Sequence, residues 1–138
     1  DTQEFSLHAL DGFNILLVED NELNMEIAEF SLQNAGAKIT KAWNGQEAVE
    51  IFQASLIGDF DVILKDVMMP VMDGYEAAKT IRALSREDAK TIPIIAMTAN
   101  AFSEDKIKAE EAGMNEHIAK PINMKLLIRI ASKLVNHT

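Results

Sequence analysis

The sequence predicts an α/β fold: a doubly wound parallel sheet with helices on both faces. Three observations predict it. Five short apolar runs alternate with five segments of helical spacing, and such alternation builds parallel strands joined by right-handed crossovers. Three of the apolar runs are near-continuous, as strands read when helices cover both faces. The helical segments also carry recognisable start and stop residues.

Taken in order, Asp1 to Gly12 show no sustained period, and residues 1–12 are expected to form a linker or flexible arm. NILLV (Asn14–Val18) is the first strand. Ala28, Leu32 and Ala35 share a face of the first helix, which Gly36 should stop. AKIT (Ala37–Thr40) is the second strand. Trp43 should be a partly exposed loop residue, followed by NGQE (Asn44–Glu47), a capping box. That box opens a helix with Val49, Phe52 and Leu56 facing inward. DVIL (Asp61–Leu64) is the third strand, and DGYE (Asp73–Glu76) caps a helix that buries Ala77, Ile81 and Leu84. IPIIAM (Ile92–Met97) is the fourth strand. Ser103 caps the least apolar helix, with Ile107, Ala109 and Ala112 inward, and Gly113 ends it. EHIA (Glu116–Ala119) is the fifth strand, and Asn123 caps a last helix with Leu127, Ile130, Ala131 and Leu134 inward.

The bulk numbers narrow the function. A chain of 138 residues, 48% hydrophobic and 25% charged, suits one globular domain with a sizeable core. The net charge of -9 argues against nonspecific nucleic-acid binding but leaves room for a divalent cation. With no cysteine there is no disulfide, thiolate metal site or cysteine nucleophile. The longest uncharged run, Thr91 to Ser103, is shorter than the roughly 20 residues that span a bilayer. No basic-then-apolar leader opens the chain, so a cytoplasmic setting is expected, with the parent chain free to be membrane-attached. A first residue of Asp1 suggests a piece of a longer polypeptide.

In parallel sheets, ligands collect at the carboxyl ends of the strands. The first strand runs into Glu19 and Asp20, the third into Asp66, the fourth into Thr98 and the fifth into Lys120 and Pro121. A crevice with three carboxylates, a hydroxyl and an ammonium group needs its negative charge relieved. Lys120 can do so, and so can magnesium, which prefers carboxylate, water and phosphate oxygens. Such a group suits phosphoryl transfer, with a carboxylate as nucleophile. Singly, each residue has a plainer role: a strand-end cap at Asp66, a solvated edge at Glu19 and Asp20, a core hydroxyl at Thr98, a surface lysine at Lys120.

VEDN (Val18–Asn21), DVILKDVMMPVMDGYEA (Asp61–Ala77), AMTANA (Ala96–Ala101) and AKPI (Ala119–Ile122), in that order, resemble the receiver domain of two-component response regulators. The likeness is strongest to receivers attached to hybrid sensor histidine kinases, and it places that domain at 13–136. It implies a flavodoxin-like (βα)5 fold with a five-stranded sheet in the order 2-1-3-4-5. It implies Asp66 as phosphoacceptor, with Thr98 and Lys120 assisting catalysis. It implies a magnesium site, with manganese as the alternative, formed by Glu19, Asp20, Asp66 and the carbonyl of Met68. Thr98 and His117 become switch residues for the surface around the fourth helix and fifth strand, and the Lys120–Pro121 bond is expected to be cis. The implied partners are a histidine kinase phosphohistidine domain and a histidine phosphotransfer protein or output domain, with no direct nucleic acid and no membrane insertion. The fragment alone is then no enzyme beyond its own phosphorylation and dephosphorylation, while its expected context is a hybrid kinase or relay, with a free-standing single-domain regulator as the alternative.

Two positions depart from that pattern. His117 stands where many relatives carry an aromatic, and it reads equally as a packed neutral histidine or a titrating switch. Lys65 replaces an apolar residue; its stem is expected to lie along a helix with the amine in water. Two other functions stay in view: a docking module on the same fold that needs no phosphorylation, and a metal-dependent aspartyl-phosphate phosphohydrolase. Retention of the acidic pair, Thr98 and Lys120 weighs against the first, and Met68 in place of a second aspartate weighs against the other.

Overall fold

The computed structural model of this chain describes residues 11–66, 74–98, 107, 110–111, 113–119 and 129–130, with backbone alone at 66, 74, 75, 98, 117 and 119. The strands are β1 (Asn14–Val18), β2 (Lys38–Ala42), β3 (Val62–Asp66), β4 (Ile94–Thr98) and β5 (Glu116–Ala119). The helices are α1 (Glu22–Asn34), α2 (Gly45–Ala54) and α3 (Gly74–Arg82), with a 3-10 turn at Glu87–Lys90. Every neighbouring pair of strands is parallel, in the order β2-β1-β3-β4-β5. This is the doubly wound parallel sheet that the alternating pattern predicts, in the flavodoxin-like order that the resemblance implies.

Strand alternation divides the core into two layers. Leu16, Val18, Ile63, Ile94 and Ala96 pack with Ala48, Val49 and Phe52 of α2 and with Ala77, Ala78 and Ile81 of α3. On the other face, Ile15, Leu17, Val62, Leu64, Ile95, Met97 and Ile118 pack with Met25 and Leu32 of α1. Burial of β1 and β3 on both faces explains their unbroken apolar sequence. No helix among the described residues is long and apolar enough to cross a membrane.

Several element limits move. β1 and β5 match expectation, whereas β2, β3 and β4 each run one or two residues further towards their carboxyl ends. Leu56 lies outside α2 and is 74% exposed, because the helix stops at Ala54 and both the backbone N–H and the hydroxyl of Ser55 bond Phe52 O. Ile107, expected to face inward, is 53% exposed. The Asn44 carboxamide accepts from Glu47 N at 2.8 Å as a cap should, but the Glu47 carboxylate returns to Trp43 N rather than to Asn44. Gly36, at φ +100°, ends α1; a Cβ there would overlap the Asp11 carboxyl, so the end of the expected arm packs on this turn. The capping residues Asp73, Ser103 and Asn123 fall outside the described residues.

Lys65 overturns the expectation that its amine reaches water. Parity places it with Ile63 on the α2–α3 face, in register with Val18 and Ala96. The side chain is fully buried, and among the described residues its Nζ has no hydrogen-bond partner. Lys65 sits on an inner strand beneath α2 and α3, and its stem does not carry the amine out to water there. Burial first, and the Arg82 guanidinium second, pull the amine from 10.5 down to about 7.

A depressed amine pKa has a definite pH signature. Between about 7 and 10.5 the unfolded chain binds the Lys65 proton and the folded chain does not, so stability rises with pH across that window. Below about 7 both states are protonated and the cost of burying the charge is fully present. Replacing Lys65 with Met should raise stability at neutral pH by on the order of 2 kcal/mol and flatten this part of the pH profile. Urea unfolding of both proteins at several pH values checks it, and parallel profiles would contradict the burial.

Candidate functional site

The carboxyl ends of the strands meet at one edge of the sheet, and the register sets their levels. Val18 pairs with Lys65, so Glu19 and Asp66 are the next residues on their strands. Asp66 pairs with Met97, and Thr98 follows it. Thr98 pairs with Ala119, the residue before Lys120. The backbone therefore brings the ends at Glu19, Asp66 and Thr98 to neighbouring levels of adjacent strands. Met68, Lys120 and Pro121 lie outside the described residues, and His117 is placed by its backbone in β5, in register with Ala96.

The β1–α1 loop holds the described carboxylates, and the two are held differently. Glu19 N donates to Ala42 O at 3.1 Å, carrying the sheet ladder one step past β1. Its side chain is buried, and Oε1 accepts from Asn21 N at 3.2 Å. Asp20, between them, is exposed. Asn21 caps α1: its Oδ1 accepts from Asn24 N at 2.9 Å, and its carbonyl accepts from Met25 N at 2.8 Å. One buried carboxylate thus shapes the loop and the next stands free of the core. Hard oxygen donors of this kind suit magnesium better than a thiophilic or imidazole-seeking metal. Among the described residues no three metal-ligating side chains cluster; Glu19 and Asp20 are the described members of the expected set.

Two features of this region escape a local reading of the sequence. The Asn21 cap is signalled only by its own side chain, without a glutamate three residues on. The other is an apolar stripe on the outside of α1. Leu23, Ile27 and Phe30 are 64%, 57% and 67% exposed and follow i, i+4, i+7 spacing, so they share one face. Met25 and Leu32 of the same helix are buried, and Ala28 packs with them. With apolar residues on both sides of the helix, the spacing that picks out the buried face does not explain the outer stripe. Glu22, Glu26 and Glu29 flank the outer stripe, and Glu29 meets Lys41 at 3.5 Å.

Comparison with known proteins adds an independent line. A family model described as the response regulator receiver domain matches residues 15–132. The hybrid signal transduction histidine kinase M of Dictyostelium discoideum is 44% identical over 122 residues, covering 88% of this chain and 5% of that protein. The peroxide stress-activated histidine kinase mak1 of Schizosaccharomyces pombe is 35% identical over 131 residues, covering 94% and 8%. Among solved structures, the receiver domain of the sensor histidine kinase PA1611 of Pseudomonas aeruginosa PAO1 is similar with a TM-score of 0.81 and 39% identity, covering 91% of this chain and 98% of that one. That structure has a magnesium ion coordinated in its active-site cleft. The receiver domain of the Saccharomyces cerevisiae response regulator Ssk1, crystallised with the histidine phosphotransfer protein Ypd1, gives a TM-score of 0.79 at 32% identity, covering 92% and 91%. The chain spans only a small part of the curated relatives named, 5% and 8% of their lengths.

The Asn21 cap makes a separable prediction. Asn21→Ala should lower stability by about 1 kcal/mol, whereas Asn21→Asp, which keeps the accepting oxygen, should not. Thermal unfolding of the two variants distinguishes a capping side chain from an exposed bystander.

Proposed function

The chain belongs to the response regulator receiver domain family, and on that premise we propose that it accepts a phosphoryl group on Asp66 from a phosphohistidine. The observation that carries this function is the meeting of the β1, β3 and β4 ends at one edge of a parallel sheet, with Glu19 and Asp20 beside the strand that ends in Asp66. An Asp66 carboxylate oxygen attacks phosphorus, the bond from phosphorus to the donor imidazole nitrogen breaks, and an acyl phosphate forms as the imidazole takes up a proton. Asp20, Asp66 and the Met68 carbonyl, with Glu19 behind them, would hold magnesium, which would offset the negative charge on the phosphoryl oxygens. The Thr98 hydroxyl donates a hydrogen bond to the transferred group, and Lys120 pairs with it as a compact cation.

The new charge then biases the surface around β5 and the helix before it, with His117 in the position that reports the change. The parent is a hybrid histidine kinase, by its likeness to receivers within such kinases. The donor docks on the stripe of Leu23, Ile27 and Phe30, which adjoins the acidic loop and lacks a cover among the described residues. Exposed apolar residues in line on one helix are the usual footing for another helix.

Two measurements test this function. With magnesium and acetyl phosphate, intact mass should show one added phosphoryl group, labile to hydroxylamine, and none on Asp66→Asn. A label that survives that change would move the acceptor elsewhere. Ile27→Asp should slow transfer from a phosphorylated histidine phosphotransfer protein by about tenfold or more while leaving acetyl phosphate labelling unchanged. Equal effects on both donors would remove α1 from the docking surface.

A further inference from the structure

At the end of the sheet away from the acidic loop, one arginine ties together three elements. Arg82, in the last turn of α3, donates from Nε to Gly113 O at 2.9 Å, from Nη1 to Ala89 O at 3.0 Å and from Nη2 to Asn115 Oδ1 at 2.9 Å. Asn115 immediately precedes β5. Its backbone N donates to Ile94 O at 2.8 Å, and its Oδ1 accepts from Ile94 N at 2.8 Å. The carboxamide thus imitates a strand carbonyl and adds a rung to the β4–β5 ladder. Gly113, at φ +93°, lets the chain pass close to the arginine; a Cβ there would come within 2.8 Å of Arg82 Cγ.

The position of this knot matters because β5 is a weakly specified strand. It has four residues and, among the described residues, lies at the sheet edge and pairs with β4 alone. A slip of one residue would shift the chain by about 3.3 Å and reverse which side chains face the core. Lys120 follows Ala119 directly, so the register of β5 decides where that lysine is delivered. The guanidinium fork fits two carbonyls and one amide oxygen at once, which a lysine at position 82 could not do.

We propose that Arg82 and Asn115 are positioning residues for phosphoryl transfer: together they lock the register of β5 on β4 and so set the reach of Lys120 towards Asp66. The lock rests on the phosphoacceptor function above. Neither residue touches the reacting group. Their effect passes along β5, while the proposed metal-binding carboxylates, after β1 and at the end of β3, stand outside its path.

The test compares the whole chain with Arg82→Met, Asn115→Ala, the double variant, and Asn115→Asp, which keeps the accepting oxygen. Initial rates of labelling by acetyl phosphate, magnesium affinity by calorimetry, and cross-strand backbone NOEs between β4 and β5 are measured below the unfolding transition of each protein. Each single variant should lower the rate about tenfold and the double variant no further, with Asn115→Asp within about two-fold of the parent. Magnesium affinity should stay within about two-fold throughout, a split that general loosening of the fold would not produce. Parental rates in folded Arg82→Met and Asn115→Ala, multiplying losses in the double variant, or a matching fall in magnesium affinity would overturn the lock. If Arg82→Met does not fold, Arg82→Lys, which keeps the charge without the fork, takes its place in each comparison. If the parent takes up no phosphoryl group, the phosphoacceptor function fails, and the NOEs then decide the lock alone. Pairing that is unchanged in the variants would overturn it, and pairing lost or shifted would support it.

Discussion

Parallel pairing governs the layout of this chain. The inner strands β1 and β3 have a neighbour on each side and packed side chains on each face, so Ile15 to Val18 and Val62 to Leu64 are buried. A strand body of this kind has no room for solvated charge, and charged chemistry is pushed to the point where the strand leaves the sheet. Because all five strands run the same way, those exits fall on one edge. Nothing further is needed to bring Glu19, Asp20 and the end of β3 together. The register that closes the core is also the register that assembles the site.

Lys65 is the exception to the apolar strand body, and it lies one residue before the proposed phosphoacceptor. Its amine is buried on the face that α2 and α3 cover, and Arg82 adds a second cation on that side. Arg82 is satisfied by three acceptors; Lys65 has none among the described residues. The two cations therefore differ in what they do for the fold. The arginine connects elements, while the lysine weakens the core layer that carries the strand, a local conflict of the kind found beside functional sites.

Much of this was legible because it repeats at short range. Runs such as Asn14–Val18 and Glu116–Ala119 give strands with the expected limits, and their alternation with helices gives the parallel sheet. The apolar runs place β2, β3 and β4 one or two residues too early, because Lys41, Asp66 and Thr98 are polar yet continue the ladder. The end of α2 at Ala54 depends on the Ser55 bonds to Phe52 O, which no periodicity announces. Ala28, Leu32 and Ala35 pick out the buried face of α1, but spacing does not explain the equally apolar outer stripe of Leu23, Ile27 and Phe30. The burial of Lys65 follows from helices packing over β3, and the Arg82–Asn115 bond joins residues 33 positions apart, so neither leaves a local mark. Of the expected site residues, Glu19, Asp66 and Thr98 are described at or just past the ends of their strands, as the sequence suggests; how Glu19 and Asp20 divide between burial and exposure was not legible.

The two ends of the sheet are built for different purposes. At the amino ends of the strands, side chains imitate or extend the backbone ladder. Asp61 accepts from Asn14 N at 2.8 Å while its own N–H donates to Asn14 O, and Asn115 holds Ile94 in the same two-way manner. Paired bonds of this type resist sliding, because a shift breaks both together. At the carboxyl ends, the described loop is short, one of its carboxylates is exposed, and local bonds at Glu19 and Asn21 shape it. On the proposed function, paired bonds at the amino ends hold the register on which the site at the carboxyl ends depends.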